Sequence, residues 1–521
     1  MRKCLFVLVS IFCFSTLLAQ SYEVSWGNEY RQAGILENEF FLVGLTDDAY
    51  HMLAHSRAQS TLLSFDWNHN LLESNSVEFN TGKERLHLGS IINTRAGSFT
   101  VFNQYDLRTS ELRTFTSRFE NQSFADVQQI ASQSVRFKNS EAATEAIQKI
   151  NSPLTTSPNG SVVLLTQTNL NRLRTEPEEI TINVYDADFN PLWDKAYILD
   201  YGENNAEVLH SGISNAGEVY LLVRAWKEFA ERRQNAGLPS YSYELLKITS
   251  DGAIQKMEIS LEKGYAPQYA GLYIPSTSGD DVVVAGMYTD TRRNSNLQGV
   301  FSVKVNRDFT QGNTIEQEFS PYFLEDLVSK WANRWDRGLD NEFFIKSFVR
   351  FADGKLGFLA EETYSTSLSR TTGASMSLNM QRTYNTNQIV AVIFDPDGQS
   401  VLMQKIDKAF DTTSPQRTSF TSALVGNELF LVYHDDKTRE ERMEIRGSGS
   451  AKAFFTDLTV INSNGSISHE QSLFTMPTTD RKSFIPLESR SNEDYLVLLT
   501  RSFNAFQVGL LRLPGNVNPT P

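Results

Sequence analysis

Short apolar runs recur along this chain once every 57 to 74 residues, each between polar turn segments. Their first residues lie 59, 63, 57, 63, 74, 73 and 66 positions apart. A regular period of this size is typical of repeat architectures in which each repeat is one supersecondary unit. The eight runs are Phe40–Val43, Phe99–Phe102, Val162–Leu165, Val219–Leu222, Val282–Val284, Leu356–Leu359, Leu429–Val432 and Tyr495–Leu498.

Each repeat has the pattern of four strands. The apolar run, which we label strand B, follows a turn signal such as Asn215–Gly217, and we expect a strand A before that turn. Further along, alternating apolar residues lead into an Asp, Asn or Gly turn and another short run, as in Ile182–Asp186 followed by Leu192–Trp193. This second pattern is that of a hairpin and predicts strands C and D.

Eight repeats of four antiparallel strands predict an all-β fold, a β-propeller with short helical insertions. About eight four-stranded blades are expected, with seven as the alternative; separate β-sandwiches would also give short strands at regular spacing. The last repeat ends after strand C at Phe506–Leu513, whereas Tyr22–Trp26 precedes the first repeat without a partner. We therefore predict that 22–26 closes the ring as the last strand D. Residues 20–514 then form one domain, and 515–521 form a short tail.

The hairpin at Tyr185–Trp193, with a weaker echo at Ile393–Gly398, resembles those of quinoprotein-type eight-bladed propellers and their cofactor-free scaffold relatives. The tryptophan that this family repeats occurs clearly in one repeat only. The resemblance implies a fold and does not extend to a quinone cofactor, so neither functional residues nor a cofactor are carried over from it.

The first nineteen residues have the pattern of a secretory signal peptide. Arg2 and Lys3 precede an apolar run from Leu5 to Leu18, and cleavage is expected between Ala19 and Gln20. The alternative, a membrane anchor, needs about 20 apolar residues, more than this run supplies. We expect a secreted or periplasmic protein that is not integral to a membrane. Both cysteines of the chain lie in this segment, so the mature protein is expected to have no disulfide or thiolate metal site.

The remaining chain is acidic. Without Arg2 and Lys3 it carries 46 basic side chains against 62 acidic ones. Such a balance argues against nucleic acid and against an anionic membrane surface as partners. Charged residues make up only 21% of the chain, which is typical of a folded protein. The expected partner is a protein or a glycan in the cell envelope or outside the cell.

The long insertions all fall in the B-to-C and D-to-A connections, which lie on one face of a propeller. Exposed loops on a rigid scaffold often carry function, although neutral drift also lengthens them. Phe323–Trp335 has the pattern of an amphipathic helix, and Glu361–Thr386 that of an extended hairpin or mobile loop. The insertions are Gln167–Glu178, Trp226–Ser240, Thr289–Gln298, Glu361–Thr386, Asp435–Lys452, Glu141–Ile150 and Phe319–Asn341.

Ionisable and aromatic residues at the ends of strands B and in these insertions are the candidates for a binding face. No catalytic residue is assigned among them. They are Arg224, Trp226, Asp290, Arg292, Trp331, Trp335, Glu361, Glu362, His434, Asp435 and Arg501.

The sequence indicates no metal site. His51 and His55 have the i, i+4 spacing of helical metal ligands, but they fall in a strand-like stretch. Asp395–Gly398 and Asn462–Gly465 resemble parts of calcium loops and are better interpreted as hairpin turns.

The sequence thus favours an exported propeller that acts as a binding or scaffold protein and recognises its partner through one elaborated face. The alternative function is a hydrolase or lyase that acts on polysaccharide in an axial cleft, which would need paired carboxylates near the axis.

Overall fold

The computed structural model describes residues 22–31, 39–46, 48–55, 60–79, 86–120, 122–137, 154–168, 178–199, 201, 206–227, 240–262, 265–277, 281–290, 296–324, 339, 342–371, 378–395, 401–414, 417–435, 453–477, 483–491, 494–502 and 505–514. These residues form eight antiparallel sheets, the blades of a β-propeller. The predicted all-β class is confirmed, and eight blades are present rather than seven.

Strands A to D follow one another in sequence within each blade, and A is the inner strand. Blade 1 consists of Glu39–Leu45, Ala49–His55, Ser60–Asp66 and Leu71–Val77. Blade 2 consists of His87–Thr94, Gly97–Asp106, Glu111–Glu120 and two outer pieces, Ser123–Phe124 and Gln128–Ser134. Blade 3 consists of Leu154–Thr156, Val162–Thr168, Glu178–Asp186 and Pro191–Leu199. Blade 4 consists of Ala206–Ile213, Val219–Trp226, Tyr241–Ile248 and Ile254–Ile259.

The second half of the ring repeats this order. Blade 5 consists of Tyr265–Tyr273, Val282–Asp290, Leu297–Val305 and Gln311–Glu318. Blade 6 consists of Phe343–Arg350, Leu356–Thr371, Leu378–Phe394 and Val401–Ile406, with an added strand Phe410–Thr412. Blade 7 consists of Phe420–Val425, Glu428–Asp435, Ala453–Asn462 and Ile467–Pro477. Blade 8 consists of Ser483–Phe484 with Arg490–Ser491, then Tyr495–Arg501, Ala505–Arg512 and, from the start of the chain, Val24–Trp26 with Tyr30–Arg31.

The outer strand of blade 8 comes from the other end of the sequence. Val24–Trp26 pairs antiparallel with strand C of that blade, Val24 opposite Leu511 and Trp26 opposite Gly509. The ring of Trp26 contacts Phe474 of blade 7 edge to face, with centroids 4.8 Å apart. Segment 22–26 therefore occupies the position that its lack of a partner predicts.

One strand assignment from the sequence is wrong. Phe40–Val43 was expected to be strand B of the first repeat, but it lies in strand A of blade 1, and Ala49–His55 is strand B. The cause is burial: Phe40 has no exposed surface and packs against Phe506 of blade 8, with ring centroids 4.6 Å apart. This inner strand is consequently as apolar as the B strands of other blades.

The hydrophobic core is divided among the contacts between neighbouring blades. Separate apolar clusters lie between blades 1 and 2, 2 and 3, and so on around the ring, including one between blades 8 and 1. A four-stranded sheet can bury only one of its faces against a single neighbour. The closed ring gives every blade two neighbours, so both faces of each sheet are buried.

The two faces of the ring differ. The A-to-B and C-to-D turns form what we call the turn face, and the B-to-C and D-to-A connections form the loop face. On the turn face, hydrogen bonds join the turns of successive blades: Arg95 N–H to Gly160 O at 2.8 Å, Asn159 N–H to Asn215 Oδ1 at 3.1 Å, and Asn215 Nδ2 to Ser276 O at 2.7 Å. Such bonds leave little room for insertions on this face.

In blades 1, 3, 5 and 7 the C-to-D turn begins at an Asp or Asn and contains a residue with positive φ: His69, Phe189, Phe309 and Gly465. In blade 3, Asp186 Oδ1 accepts the backbone N–H groups of Asp188 and Asn190, both at 2.9 Å. Phe189 has φ +63° and is fully buried, its ring 4.8 Å from that of Phe99 in blade 2. Left-handed backbone costs a non-glycine residue about 1 kcal/mol, which burial of the ring between two blades offsets.

Helix is scarce in the described residues. Pro321–Leu324 forms a single α-helical turn after blade 5, and Pro486–Glu488 forms a 3₁₀ turn in blade 8. Among these described segments, no helix has the length and apolar character needed to cross a membrane.

Candidate functional site

The loop face begins where strands B end and strands A start. In blade 6, strands B and C stay paired far beyond the sheet, from Thr363 opposite Thr386 to Thr371 opposite Leu378. The insertion at 361–386 is therefore an extended hairpin, one of the two forms expected for it. The predicted helix at Phe323–Trp335 overlaps the described turn only at its start, and Trp331 and Trp335 lie outside the described residues, as does Arg292.

Arg224 is fixed at the loop-face end of strand B in blade 4. Its Nη2 donates a hydrogen bond to Glu207 Oε2 at 2.5 Å, across the A–B pair of the same blade. The guanidinium lies over the rings of Trp226 and Tyr241, 5.2 and 5.8 Å from their centroids. Stacking and the ion pair together set the plane of the guanidinium.

Two tyrosines of blade 4 hold a glutamine of blade 5. Tyr241 donates its hydroxyl to Gln268 Oε1, and Tyr243 donates to the backbone carbonyl of Gln268, both at 2.6 Å. Burial raises the pKa of Tyr241 to about 12, so its hydroxyl stays protonated and remains a donor at neutral pH.

Arg224, Tyr243 and Gln268 border a cavity of about 500 Å³ between the inner strands of blades 4, 5 and 6. We call it the inner cleft. Phe344 is 42% exposed and lies beside Tyr269, with ring centroids 4.9 Å apart and planes tilted by 56°. Among the residues that line the inner cleft are Glu207, His210, Arg224, Gln268, Tyr269, Phe344 and Lys346.

Glu361 is a structural residue rather than an exposed carboxylate. Its side chain has no exposed surface and accepts a hydrogen bond from the equally buried Lys408. Lys346 Nζ lies 3.6 Å from the other carboxylate oxygen, and Lys408 also donates to the carbonyl of Ser419 at 3.2 Å. Burial lowers the pKa of Lys408, while the nearby Glu361 opposes that shift. The pair ties blade 6 to the start of blade 7.

His434 and Asp435 belong to the same buried region. The imidazole of His434 stacks on Phe410 with centroids 4.5 Å apart, and its Nε2 donates to the carbonyl of Phe484 at 2.8 Å. Burial lowers the pKa of His434 to about 4, so the ring is neutral at neutral pH. Asp435 Oδ1 accepts the backbone N–H of Ala409 at 3.0 Å.

The structure thus separates the predicted candidates. Arg224 and Trp226 lie together beside the inner cleft. Glu361, His434 and Asp435 lie around Lys408 between blades 6 and 7. The other three described candidates lie elsewhere: Asp290 is 1% exposed in blade 5, Glu362 is half-buried in blade 6, and Arg501 lies 5.9 Å from the ring of Phe40 at the junction of blades 8 and 1.

The two histidines with metal-ligand spacing are core residues. His51 and His55 are buried in strand B of blade 1 and bond through Nδ1 to Ser64 and Ser60, each at 2.8 Å. Throughout the described ranges, no group of three or more histidine, cysteine or acidic side chains is placed to hold a metal ion.

A second cavity, of about 420 Å³, lies between inner strands of blades 1, 2, 7 and 8. Its lining is rich in hydroxyl and amide groups, such as Thr421, Ser422 and Asn93, and contains no aromatic side chain. Arg490 extends from blade 8 and donates to the carbonyl of Ile91 in blade 2 at 3.4 Å. This cavity lacks the apolar surface that most ligand sites use.

Sequence reasoning missed the side chains that give the inner cleft its character: Gln268, Tyr269, Phe344, Lys346 and the Glu207 partner of Arg224. They lie near the loop-face ends of strands A. These strands have a weaker apolar pattern than strands B, as Ala206–Ile213 beside Val219–Trp226 shows, so the sequence does not mark where they begin.

No protein-family model matches the chain, and no curated protein matches it. Solved structures resemble it weakly. The propeller domain of the Trilobed protease from Pyrococcus furiosus shares 7% identity at a TM-score of 0.36, covering 84% of this chain and 98% of that one. The Dos1 propeller shares 10% identity at a TM-score of 0.41, covering 95% of this chain and 96% of that one. A puromycin-hydrolysing peptidase of Mycobacterium tuberculosis shares 8% identity at a TM-score of 0.40, covering 92% of this chain and 61% of that one. Similarity this low says nothing about function, and the fold rests on the strand pairing described above.

Proposed function

We propose that this propeller is an exported binding protein that holds a protein or glycan partner non-covalently at its loop face, in the inner cleft. The observation that carries the proposal is the composition of that cleft. An exposed aromatic ring, Phe344, and a guanidinium whose orientation is fixed, Arg224, line the same cavity. Apolar surface with a few oriented polar groups is what ligand sites of this size share.

The alternative, a hydrolase or lyase, requires two carboxylates free to act beside the substrate. Glu207 lines the inner cleft and is paired with Arg224. Glu361 lies outside the lining, where it is buried and paired with Lys408 and Lys346. Both pairings favour binding over catalysis at this position.

Export is the second part of the proposal and rests on the pattern of residues 1–19. A signal peptide would bring the mature chain into contact with envelope proteins and surface polysaccharides. These are the two classes of partner expected for the acidic mature chain.

The experiment compares what immobilised protein retains from an envelope fraction of the native cell. Wild type is compared with the double variant Phe344→Ala/Arg224→Ala and with Leu192→Ala. Leu192 is 54% exposed on the outer strand of blade 3 and serves as the control for loss of surface apolar area. We expect the double variant to lose components that the control keeps. Identical retention by all three proteins would overturn the assignment of the inner cleft.

Pretreating the fraction separates the classes of partner. Digestion with proteinase K removes protein partners, and periodate oxidation destroys sugars with vicinal diols. Release of a new oligosaccharide end from a retained polysaccharide would instead support the hydrolase or lyase.

A further inference from the structure

The size and the lining of the inner cleft limit the chemical class of ligand that it can bind. Its volume of about 500 Å³ lies within the range of about 300 to 1,000 Å³ found for small-molecule sites. Blades 4, 5 and 6 contribute to it, so its walls are held by the two hydrophobic clusters between these blades.

One wall is an aromatic shelf. Phe344 exposes 42% of its surface although it stands at the second position of an inner strand, where its neighbour Phe343 is buried. Tyr269 supports it from blade 5 at 4.9 Å. A rigid aromatic face supplies a large contact area at low cost in conformational entropy, and the C–H-rich face of a pyranose ring packs flat against such a surface.

The other wall is polar and planar. Arg224 and Glu207 form an ion pair at 2.5 Å, with the side chain of Glu207 55% exposed and that of Arg224 20% exposed. The Nε of Arg224 is buried and makes no hydrogen bond within the described part of the chain. Planar guanidinium and carboxylate groups suit adjacent ring hydroxyls, because each forms two parallel hydrogen bonds with a matched pair of oxygens.

Both cations that line the inner cleft have a carboxylate nearby. Glu207 pairs with Arg224, and Lys346 lies 3.6 Å from Glu361, which it shares with Lys408. His210 is held neutral because burial lowers its pKa. An anionic ligand would have to compete with carboxylates for both cations, whereas a neutral polyhydroxylated ligand bonds to each ion pair without separating it.

We infer that the inner cleft binds a neutral glycan, with one pyranose ring stacked on Phe344 and its hydroxyls bonded to the Arg224–Glu207 pair. The inference rests on the proposed binding function and specifies its ligand. A peptide would present charged termini or side chains to a site whose ion pairs are already satisfied.

The test begins with a broad array of neutral and acidic glycans and the mature wild-type protein. Each hit is then measured by isothermal titration calorimetry as a soluble hexasaccharide. We expect neutral hits, and we expect Phe344→Ala to weaken their binding by about tenfold or more, as for loss of one aromatic anchor. Phe344→Trp keeps a ring for stacking and should bind within about threefold of wild type.

Two controls make the outcome specific. Phe344→Leu keeps an apolar side chain of similar volume without a ring face, and we expect it to behave like the alanine variant. Tyr322→Ala truncates an aromatic residue that is 86% exposed and does not line the inner cleft, and we expect it to bind like wild type. Circular dichroism and the unfolding midpoint of each variant show whether it is folded.

The inference fails if no neutral glycan binds, if only acidic glycans bind, or if binding is unchanged in Phe344→Ala. Its failure differs from that of the proposed function. A protein partner that is retained from the envelope fraction through Phe344 and Arg224, together with an empty glycan array, would refute the glycan and leave the binding function in place.

Discussion

The buried carboxylate of Glu361 accepts a hydrogen bond from the buried ammonium of Lys408, joining strand B of blade 6 to the segment that leads into blade 7. Removing one partner leaves an uncompensated charge in the interior, which typically costs about 3 to 5 kcal/mol. We expect Glu361→Gln and Lys408→Met each to lower the free energy of unfolding by that amount in urea denaturation.

The double variant Glu361→Leu/Lys408→Met tests whether the two charges stabilise the protein only as a pair. It leaves no unpaired buried charge at these two positions, so we expect it to be more stable than either single variant. Additive losses would show that the two side chains act independently. Lys346, which also contacts Glu361, is 30% exposed and can turn to solvent.

His434 should make the protein sensitive to acid. Its pKa is about 4 in the folded protein and about 6.5 in an unfolded chain, so the unfolded state binds the proton more tightly. The contribution of neutral His434 to the free energy of unfolding is complete above about pH 6.5 and is lost as the pH falls towards 4. A difference of about 2.5 pKa units corresponds to about 3 kcal/mol.

His434→Phe tests this because it keeps a ring against Phe410 and removes the titrating group. We expect the variant to be less stable than wild type at pH 7.5, since the carbonyl of Phe484 loses its donor. Its unfolding free energy should fall less steeply between pH 7 and 4.5. Parallel curves for the two proteins would rule out His434 as a source of the acid sensitivity.

Gly509 makes room for the closing strand. A Cβ at this position would lie 2.7 Å from Cζ3 of Trp26 and 2.7 Å from Cγ1 of Val24. We expect Gly509→Ala to reduce stability by about 1 to 3 kcal/mol through overpacking, measured by thermal or urea unfolding. The cost should be smaller in a Trp26→Ala background, where part of the crowding is gone. An equal loss of stability in both backgrounds would show that the effect of Gly509→Ala does not come from crowding against Trp26.

Phe189 anchors blade 3 to blade 2 from a left-handed turn. Phe189→Ala removes its contact with Phe99 and keeps the unfavourable φ, so we expect a loss of about 3 to 5 kcal/mol. Phe189→Gly relieves the backbone and should recover about 1 kcal/mol of that loss. If glycine proved as stable as phenylalanine, the ring would contribute nothing to the contact between these blades.

Export can be checked at the N-terminus of the mature protein. In the native cell we expect processing between Ala19 and Gln20, so Edman sequencing or mass spectrometry should identify Gln20 as the first residue. Ala19→Leu places a large side chain at the cleavage position and should leave unprocessed precursor. Detection of the intact N-terminus in wild type would contradict the proposed signal peptide.

The sequence predicted the ring better than the site because the two depend on different kinds of information. Strands B are buried from both sides, so Val219–Leu222 and its equivalents stand out as apolar runs, and the spare segment 22–26 follows from counting strands. Phe40–Val43 misled the assignment because burial against blade 8 made an inner strand look like strand B.

The inner cleft could not be deduced in the same way. Glu207, Gln268 and Phe344 come from strands about one repeat apart, and each sits in an ordinary local context. Their meeting depends on the curvature of the ring, which no local pattern specifies. For Glu361 the sequence was misleading in a different way. A charged residue at the end of a strand suggests an exposed group, but Glu361 is buried with Lys408.

Closure by the first strand also places a demand on folding. Val24 of the closing strand pairs with Leu511, so blade 8 is completed only when almost the entire chain is present. Tyr22 also bonds to Gln471 of blade 7, which lies 449 positions further along the sequence. Contacts of such high order make folding slow, and the segment that emerges first must wait unpaired for the last. Any chain that leaves its ribosome or crosses a membrane N-terminus first therefore stays an open arc, with unsatisfied edges at both ends, until synthesis or translocation is nearly finished.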